Sequence, residues 1–191
     1  TTSYTGINFI PRQIVYYGIF AFIVLCVRLF NMEQYKKMTW YLYGLGVFLL
    51  VALIFMPDGK GQIGEIVNGA KSWYHTPLGN IQPSEFMKAF YILACAKVIS
   101  LHNEKYSLRS LKTDFSLLFK IFGLLAIPFY LIMDQPDLGS ALVFIAITVA
   151  LILVSGISWW IITPLLTIGA AGGTFIIWMV FNMQDFLEEK F

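Results

Sequence analysis

Residues 82–88 read Gln82-Pro83-Ser84-Glu85-Phe86-Met87-Lys88 and stand at the mouth of an apolar run that continues to about Leu101. A proline at the first helical position lacks only an N–H that would have had no intrahelical partner. Pro83 therefore marks a helix start, with Ser84 and Glu85 in the first turn. Glu85 and Lys88 are three residues apart and Ser84 and Lys88 four, so on a helix they share one face, about one turn inside the bilayer surface. Ionisable groups at that depth face a protein interior or a watery cavity and mark a functional site. The plainer alternative is that Lys88 snorkels to the headgroups or merely neutralises Glu85.

The surroundings say why this helix is read as a membrane helix. Of the 191 residues 58% are hydrophobic and 17% aromatic. Only 13% are charged, where a soluble domain would carry about a quarter. With a mean hydropathy of +0.73 the chain reads as an integral membrane protein. A net charge of +2, with the basic residues clustered between apolar runs, gives no basic arm for nucleic acid. Cys26 and Cys95 both fall inside apolar runs, where thiols behave as small hydrophobes, so neither a disulfide framework nor a thiolate metal site is supported. The first apolar run begins only after Ile14, with no basic leader and no small-residue cleavage site, which is not the pattern of a signal peptide. The chain starts at Thr1 and stops at Phe191 just after a long apolar segment, so the expectation is a piece of a larger protein.

A bilayer core about 30 Å thick needs about 20 helical residues. Runs of that order fall near 12–30, 39–56, 83–101, 115–133, 136–155 and 158–181, predicting an all-α, polytopic transmembrane bundle with six spans. The lysines and arginines near the helix ends set its orientation. Arg28, Lys36 and Lys37 put 31–38 in the cytoplasm, and Lys97, Lys105, Arg109, Lys112 and Lys120 do the same for 102–114. Residues 57–82 and 134–136 then lie outside; Lys60 and Lys71 oppose the rule there but are balanced by Asp58 and Glu65. The charges of 31–38 and 102–114 read as solvated faces, and His75 and His102 as surface residues without metal-ligand spacing. Pro128 and Pro164 should bend or interrupt their helices, and Gly169, Gly172 and Gly173 would let another helix approach closely.

The external loop carries Asn68-Gly69-Ala70-Lys71-Ser72-Trp73-Tyr74. Trp73 and Tyr74 suit the interfacial aromatic belt, and Lys71 could hold a phosphate as a point charge. The Gln-Pro pair recurs in Gln135-Pro136-Asp137-Leu138-Gly139-Ser140, again with a carboxylate in the first turn at the positive end of the macrodipole. Capping alone would explain Glu85 and Asp137. Two such carboxylates on one side, with Lys71 and Lys88 near them, would also frame a pocket for a charged headgroup.

Taken together, residues 68–73, 82–88 and 135–141 resemble three successive signatures of the SEDS proteins, the RodA/FtsW/SpoVE family, with motif spacing closer to RodA than to FtsW. That resemblance implies a ten-helix bacterial inner-membrane protein that polymerises lipid II into glycan strands beside a class B penicillin-binding protein. It implies that this chain covers roughly helices two to seven, and that an essential aspartate lies in an external loop beyond it. Asp185, Glu188 and Glu189 match no family motif. Carried over by position, the substrate-binding residues are Lys71, Trp73, Glu85, Lys88 and Asp137, framed by Gly69, Gln82, Pro83, Ser84, Gln135, Pro136 and Gly139. The family often has an arginine just before the tryptophan, whereas Ser72 stands there and Lys71 one earlier, which leaves open which of them meets substrate.

Lipid II joins a long apolar tail to a dianionic pyrophosphate, so it calls for a lipid-accessible groove ending in cations at the outer surface. Lys88 and Lys71 would bind pyrophosphate, Glu85 would hold Lys88, and Asp137 would organise the wall. No cofactor is evident, and a divalent cation stays open. Two other readings stand beside this one: a transporter that flips lipid II, which needs a polar path across the bilayer, and a non-catalytic scaffold that recruits a penicillin-binding protein through lipid-facing helix surfaces.

Overall fold

The computed structural model describes residues 13–14, 17–18, 21, 24–25, 27–57, 63–64, 66, 69–76, 79–106 and 110–190. In the expected span near 12–30 the described residues 13–14, 17–18, 21, 24–25 and 27–28 are helical, and the positions between them lie outside the described residues, as do Asp58, Lys60, Glu65, Asn68 and Arg109. From residue 31 onward the described residues form five helices and one hairpin in chain order: α1 (Met32–Phe55), β1 (Tyr74–Thr76), β2 (Gly79–Ile81), α2 (Pro83–Lys105), α3 (Leu111–Asp134), α4 (Leu138–Val154) and α5 (Trp159–Lys190).

The all-α expectation holds for the bundle and misses the hairpin, whose antiparallel register pairs Tyr74 with Ile81 and His75 with Asn80. By length and apolar composition α1 and α3 could cross a membrane; α4 is shorter, and α2, interrupted by Lys88 and Lys97, does not meet the same measure.

Helix boundaries depart from the apolar runs in a consistent way. Residues 32–38, expected as a connector, are the first two turns of α1, because Glu33, Gln34, Lys36 and Lys37 are good helix formers whatever their hydropathy. The Gln34 side chain accepts the Asn31 N–H at 2.9 Å, as in a capping box. The segment 102–114 likewise contracts to 106–110, where Thr113 Oγ1 accepts from Ser110 N–H at 3.0 Å to start α3. At the other end, α4 begins at Leu138, so Pro136 precedes the helix and does not open it, and Asp137 is the cap.

The core lies where α1, α2, α3 and α4 meet, around Leu50, Met87, Tyr91, Ile121 and Phe144. Gly46 brings α1 against α2, since a Cβ there would collide with Met87 Sδ and press on Phe90. Tyr91 Oη and Thr148 Oγ1 share a buried hydrogen bond of 2.7 Å between α2 and α4. Pro128 lies inside α3, which continues through it. A proline supplies no N–H to the carbonyl four residues earlier, here Leu124. The Tyr43 hydroxyl of α1 donates to that oxygen at 2.7 Å, so the helix interruption is answered from a neighbouring helix.

Two expected surface residues are not at the surface. His102 lies in the last turn of α2, is 5% exposed and sits 4.8 Å from the Tyr106 ring. His75 is half-buried in β1, with Nδ1 3.1 Å from Asn80 Oδ1. Asp114, expected on a solvated face, is buried at the start of α3 and accepts Ser158 N–H at 3.0 Å, capping α5. Around Gly169, Gly172 and Gly173 nothing among the described residues comes within 4 Å, so no described helix uses that approach. Large side chains such as Phe119, Tyr41 and Trp160 point outward from the bundle, as a lipid-facing surface would have them.

Candidate functional site

Successive antiparallel helices bring the end of α1, the start of α2, the end of α3 and the start of α4 to one end of the bundle, where the hairpin also sits. The sequence-predicted residues gather there in two groups with different partners.

The first group is the ion pair. Lys88 Nζ lies 2.6 Å from Glu85 Oε1 across one turn of α2; the lysine side chain is 18% exposed and the glutamate 55%. Beside it a polar knot ties α2 to α4. Gln82 Nε2 donates to Asp137 Oδ2 at 3.0 Å, and Ser84 Oγ and Ser140 Oγ are 3.2 Å apart. Ser140 donates to the Asp137 carboxylate twice, from its N–H at 3.0 Å and from its hydroxyl at 2.7 Å. Asp137 caps α4 from outside the helix. Partial burial tends to raise its carboxyl pKa, but the hydrogen bonds from Ser140 and Gln82 outweigh this and hold it below the usual value. The buried Ser72 hydroxyl adds to the lowering from close by, although it forms no hydrogen bond of normal geometry.

The second group belongs to the loop. Lys71 Nζ donates to the Ile54 carbonyl at 2.9 Å and to the Met56 carbonyl, so its ammonium sits at the negative end of α1. Gly64 makes room for that side chain, because a Cβ there would stand 2.9 Å from Lys71 Cε. Gly69 has φ +81°, a backbone conformation that side chains resist, which accounts for glycine in the loop. Trp73 is 38% exposed. Tyr74, by contrast, turns its hydroxyl onto the Leu49 carbonyl at 2.7 Å, and burial pushes its phenol up from the usual value. Gln135 is buried and donates from Nε2 to the Leu50 carbonyl at 3.0 Å, fixing the α3–α4 turn to α1.

Lys71 and Lys88 thus have different partners, Lys71 the carbonyls at the end of α1 and Lys88 the Glu85 carboxylate. An apolar groove of about 570 Å³ runs between α1 and α2, lined by Phe48, Ala52, Met56, Tyr74, Phe86 and Phe90. At 100° per residue, Phe86 and Phe90 face roughly opposite to Glu85 and Lys88 around α2. The groove reaches the Met56 end of α1 where Lys71 is bound, and not Lys88, so the expected single groove ending at both cations is not what the helices build.

Ser140 is the residue the motif reading missed. The signal for it in the sequence is local: a serine three positions after an N-cap aspartate is placed to close that cap. Among the described residues no three His, Cys, Asp or Glu side chains converge as a metal site would require.

A family model described as "Cell cycle protein", FTSW_RODA_SPOVE, matches residues 1–190. Over 159 residues the chain is 35% identical to a probable peptidoglycan glycosyltransferase FtsW of Pasteurella multocida, covering 83% of this chain and 36% of that protein. Over 149 residues it is 30% identical to the stage V sporulation protein E of Bacillus subtilis, covering 78% and 38%. The chain thus spans little more than a third of the length of these curated relatives. The crystal structure of the rod shape determining protein RodA of Thermus thermophilus superposes with a TM-score of 0.64 at 24% identity, over 84% of this chain and 48% of that one. A chain from a peptidoglycan synthase complex that coordinates polymerization and crosslinking gives 0.65 at 24%, over 87% and 45%. At those identities the likeness is one of fold.

Proposed function

Because this chain belongs to the FtsW/RodA/SpoVE family of cell cycle proteins, we propose that it forms part of a multi-pass inner-membrane peptidoglycan glycosyltransferase that polymerises lipid II. Its six apolar runs would cross the bilayer, with 57–82 outside and 102–114 in the cytoplasm. The observation that carries this reading is the largely covered Lys88 side chain with its ammonium held 2.6 Å from Glu85, at the end of the bundle where α2 is tied to α4.

Polymerisation joins the anomeric carbon of one lipid-linked sugar to the 4-hydroxyl of another, and the lipid pyrophosphate leaves. The pyrophosphate, dianionic in the substrate, gains a further negative charge as the bond to the sugar breaks, while the 4-hydroxyl proton passes to a base. That developing charge needs a cation fixed in place beforehand, since a preorganised charge stabilises it without reorganising. Lys88 supplies it, and Glu85 aims the ammonium. Gln82, Ser84, Ser140 and Asp137 hold the wall on which the pair stands. Trp73 offers a half-exposed aromatic face at the same end. Lys71 anchors the loop that carries Trp73, because both hydrogen bonds of its ammonium go to the end of α1. A class B penicillin-binding protein is the fitting partner, given the peptidoglycan synthase complex among the structural neighbours, and membrane lipids cover the outward apolar faces.

The test uses the full-length protein with its partner. Lys88→Ala, folded and assembled, should lose glycan-strand synthesis from lipid II, while Lys71→Ala should retain it at reduced stability. Wild-type polymerisation by the folded Lys88→Ala complex would end the assignment. Transfer of fluorescent lipid II across liposomes without polymer would favour a flippase instead.

A further inference from the structure

At the opposite end of the bundle, a cleft of about 470 Å³ opens between α1, α2 and α3. Its floor is apolar, with Val98 and Leu124, and its rim carries Trp40, Lys105, Tyr106 and Lys120. We propose that this cleft binds an anionic phospholipid of the cytoplasmic leaflet, with the phosphate between Lys105 and Lys120 and the upper acyl chain on Val98 and Leu124. The site is separate from the Lys88 region, and its assignment to the cytoplasmic leaflet rests on the orientation proposed above.

Charge and shape both argue for this occupant. The carboxylate next to Lys105 in the chain, Glu104, is paired with Lys36 at 3.8 Å and accepts from the Ser100 hydroxyl at 2.9 Å. Among the described residues neither Lys105 nor Lys120 has a carboxylate within ion-pair distance; Lys105 instead lies 5.4 Å from the Tyr106 ring centroid. Lys97 stands 5.5 Å from the Trp40 ring centroid and donates to the Lys36 carbonyl, which keeps Trp40 at the rim as an interfacial aromatic. Two cations with no carboxylate partner among the described residues, above an apolar floor at the end rich in lysine, match a phosphate headgroup with its chain attached. Basic pockets between helices on the cytoplasmic side take such headgroups. A soluble phosphate would leave the floor unused.

Native mass spectrometry of the full-length protein, supplied with phosphatidylglycerol or with phosphatidylcholine of the same acyl chains, tests this. The wild type should retain phosphatidylglycerol preferentially. Lys105→Gln with Lys120→Gln should reduce that retention about 10- to 30-fold, Lys105→Arg with Lys120→Arg should keep it, and Lys112→Gln, exposed on the first turn of α3, should leave it unchanged. In the unmutated rim, brominated phosphatidylglycerol should quench the fluorescence that Trp40→Phe removes, and brominated phosphatidylcholine should not. Equal retention in the glutamine pair, an equal loss in Lys112→Gln, no selective quenching, or displacement of the lipid by millimolar inorganic phosphate would each overturn the proposal.

Discussion

Replacing Tyr43 by phenylalanine should cost far more than a surface hydroxyl would, and the cost should depend on a residue in another helix. Tyr43 is 7% exposed and its hydroxyl donates at 2.7 Å to the Leu124 carbonyl, whose own helical partner is missing because Pro128 has no N–H. Tyr43→Phe therefore leaves a part-buried carbonyl without its donor, at about 1–3 kcal/mol; taking about 2 kcal/mol, the folded-to-unfolded ratio falls by a factor of about 30. In a Pro128→Ala background the new alanine N–H can reach Leu124, and the same hydroxyl deletion should cost only about 0.5 kcal/mol, at the low end for one ordinary hydrogen bond. The coupling, about 1.5 kcal/mol, is read from a double-mutant cycle on reversible unfolding of the protein in detergent. Equal costs of Tyr43→Phe in the two backgrounds would refute the idea that the tyrosine answers the proline.

Lys71→Met should destabilise by about 2 kcal/mol, since it removes charge-assisted hydrogen bonds and a cation from the negative end of α1; thermal unfolding checks it, and unchanged stability would show that the ammonium is available for something else. The depressed Asp137 carboxyl contributes stability that is present above its unfolded pKa and lost as pH falls through its lower folded value. Asp137→Asn should accordingly be less stable at neutral pH and lack that acid-side loss, which a stability–pH profile of the two proteins would reveal. Thr148→Val should cost more than Tyr91→Phe, because the first strands a buried phenol hydroxyl whereas Thr148 still donates to the Phe144 carbonyl at 2.7 Å in the second.

The apolar runs made α1 to α4 visible, and Pro83 located the start of α2 to the residue. The ends of α1 and α3 were not visible, because hydropathy registers lipid contact whereas Glu33, Lys36 and Lys112 continue a helix outside it. The hairpin escaped notice because three-residue strands are too short for alternation to register. The repeated Gln-Pro pair set Glu85 and Asp137 on one side, and the fold adds the bonds from Gln82 and Ser140 to Asp137 that tie α2 to α4 there. Lys71 could not be assigned from sequence: a side chain bonded to backbone carbonyls leaves no residue pattern behind. The same holds for Tyr43 and Leu124, whose relation needs the third dimension, although Pro128 announced that some carbonyl would want a donor.

The most direct measurement is the equilibrium affinity of the full-length protein for lipid II with Lys88 as lysine, arginine or methionine. If Lys88 seats the pyrophosphate, a lost charge-assisted hydrogen bond of about 1.5–3 kcal/mol weakens the methionine variant about 10- to 150-fold, with arginine between the two. Identical affinities for lysine and methionine, in proteins of equal stability, would contradict the account at its centre.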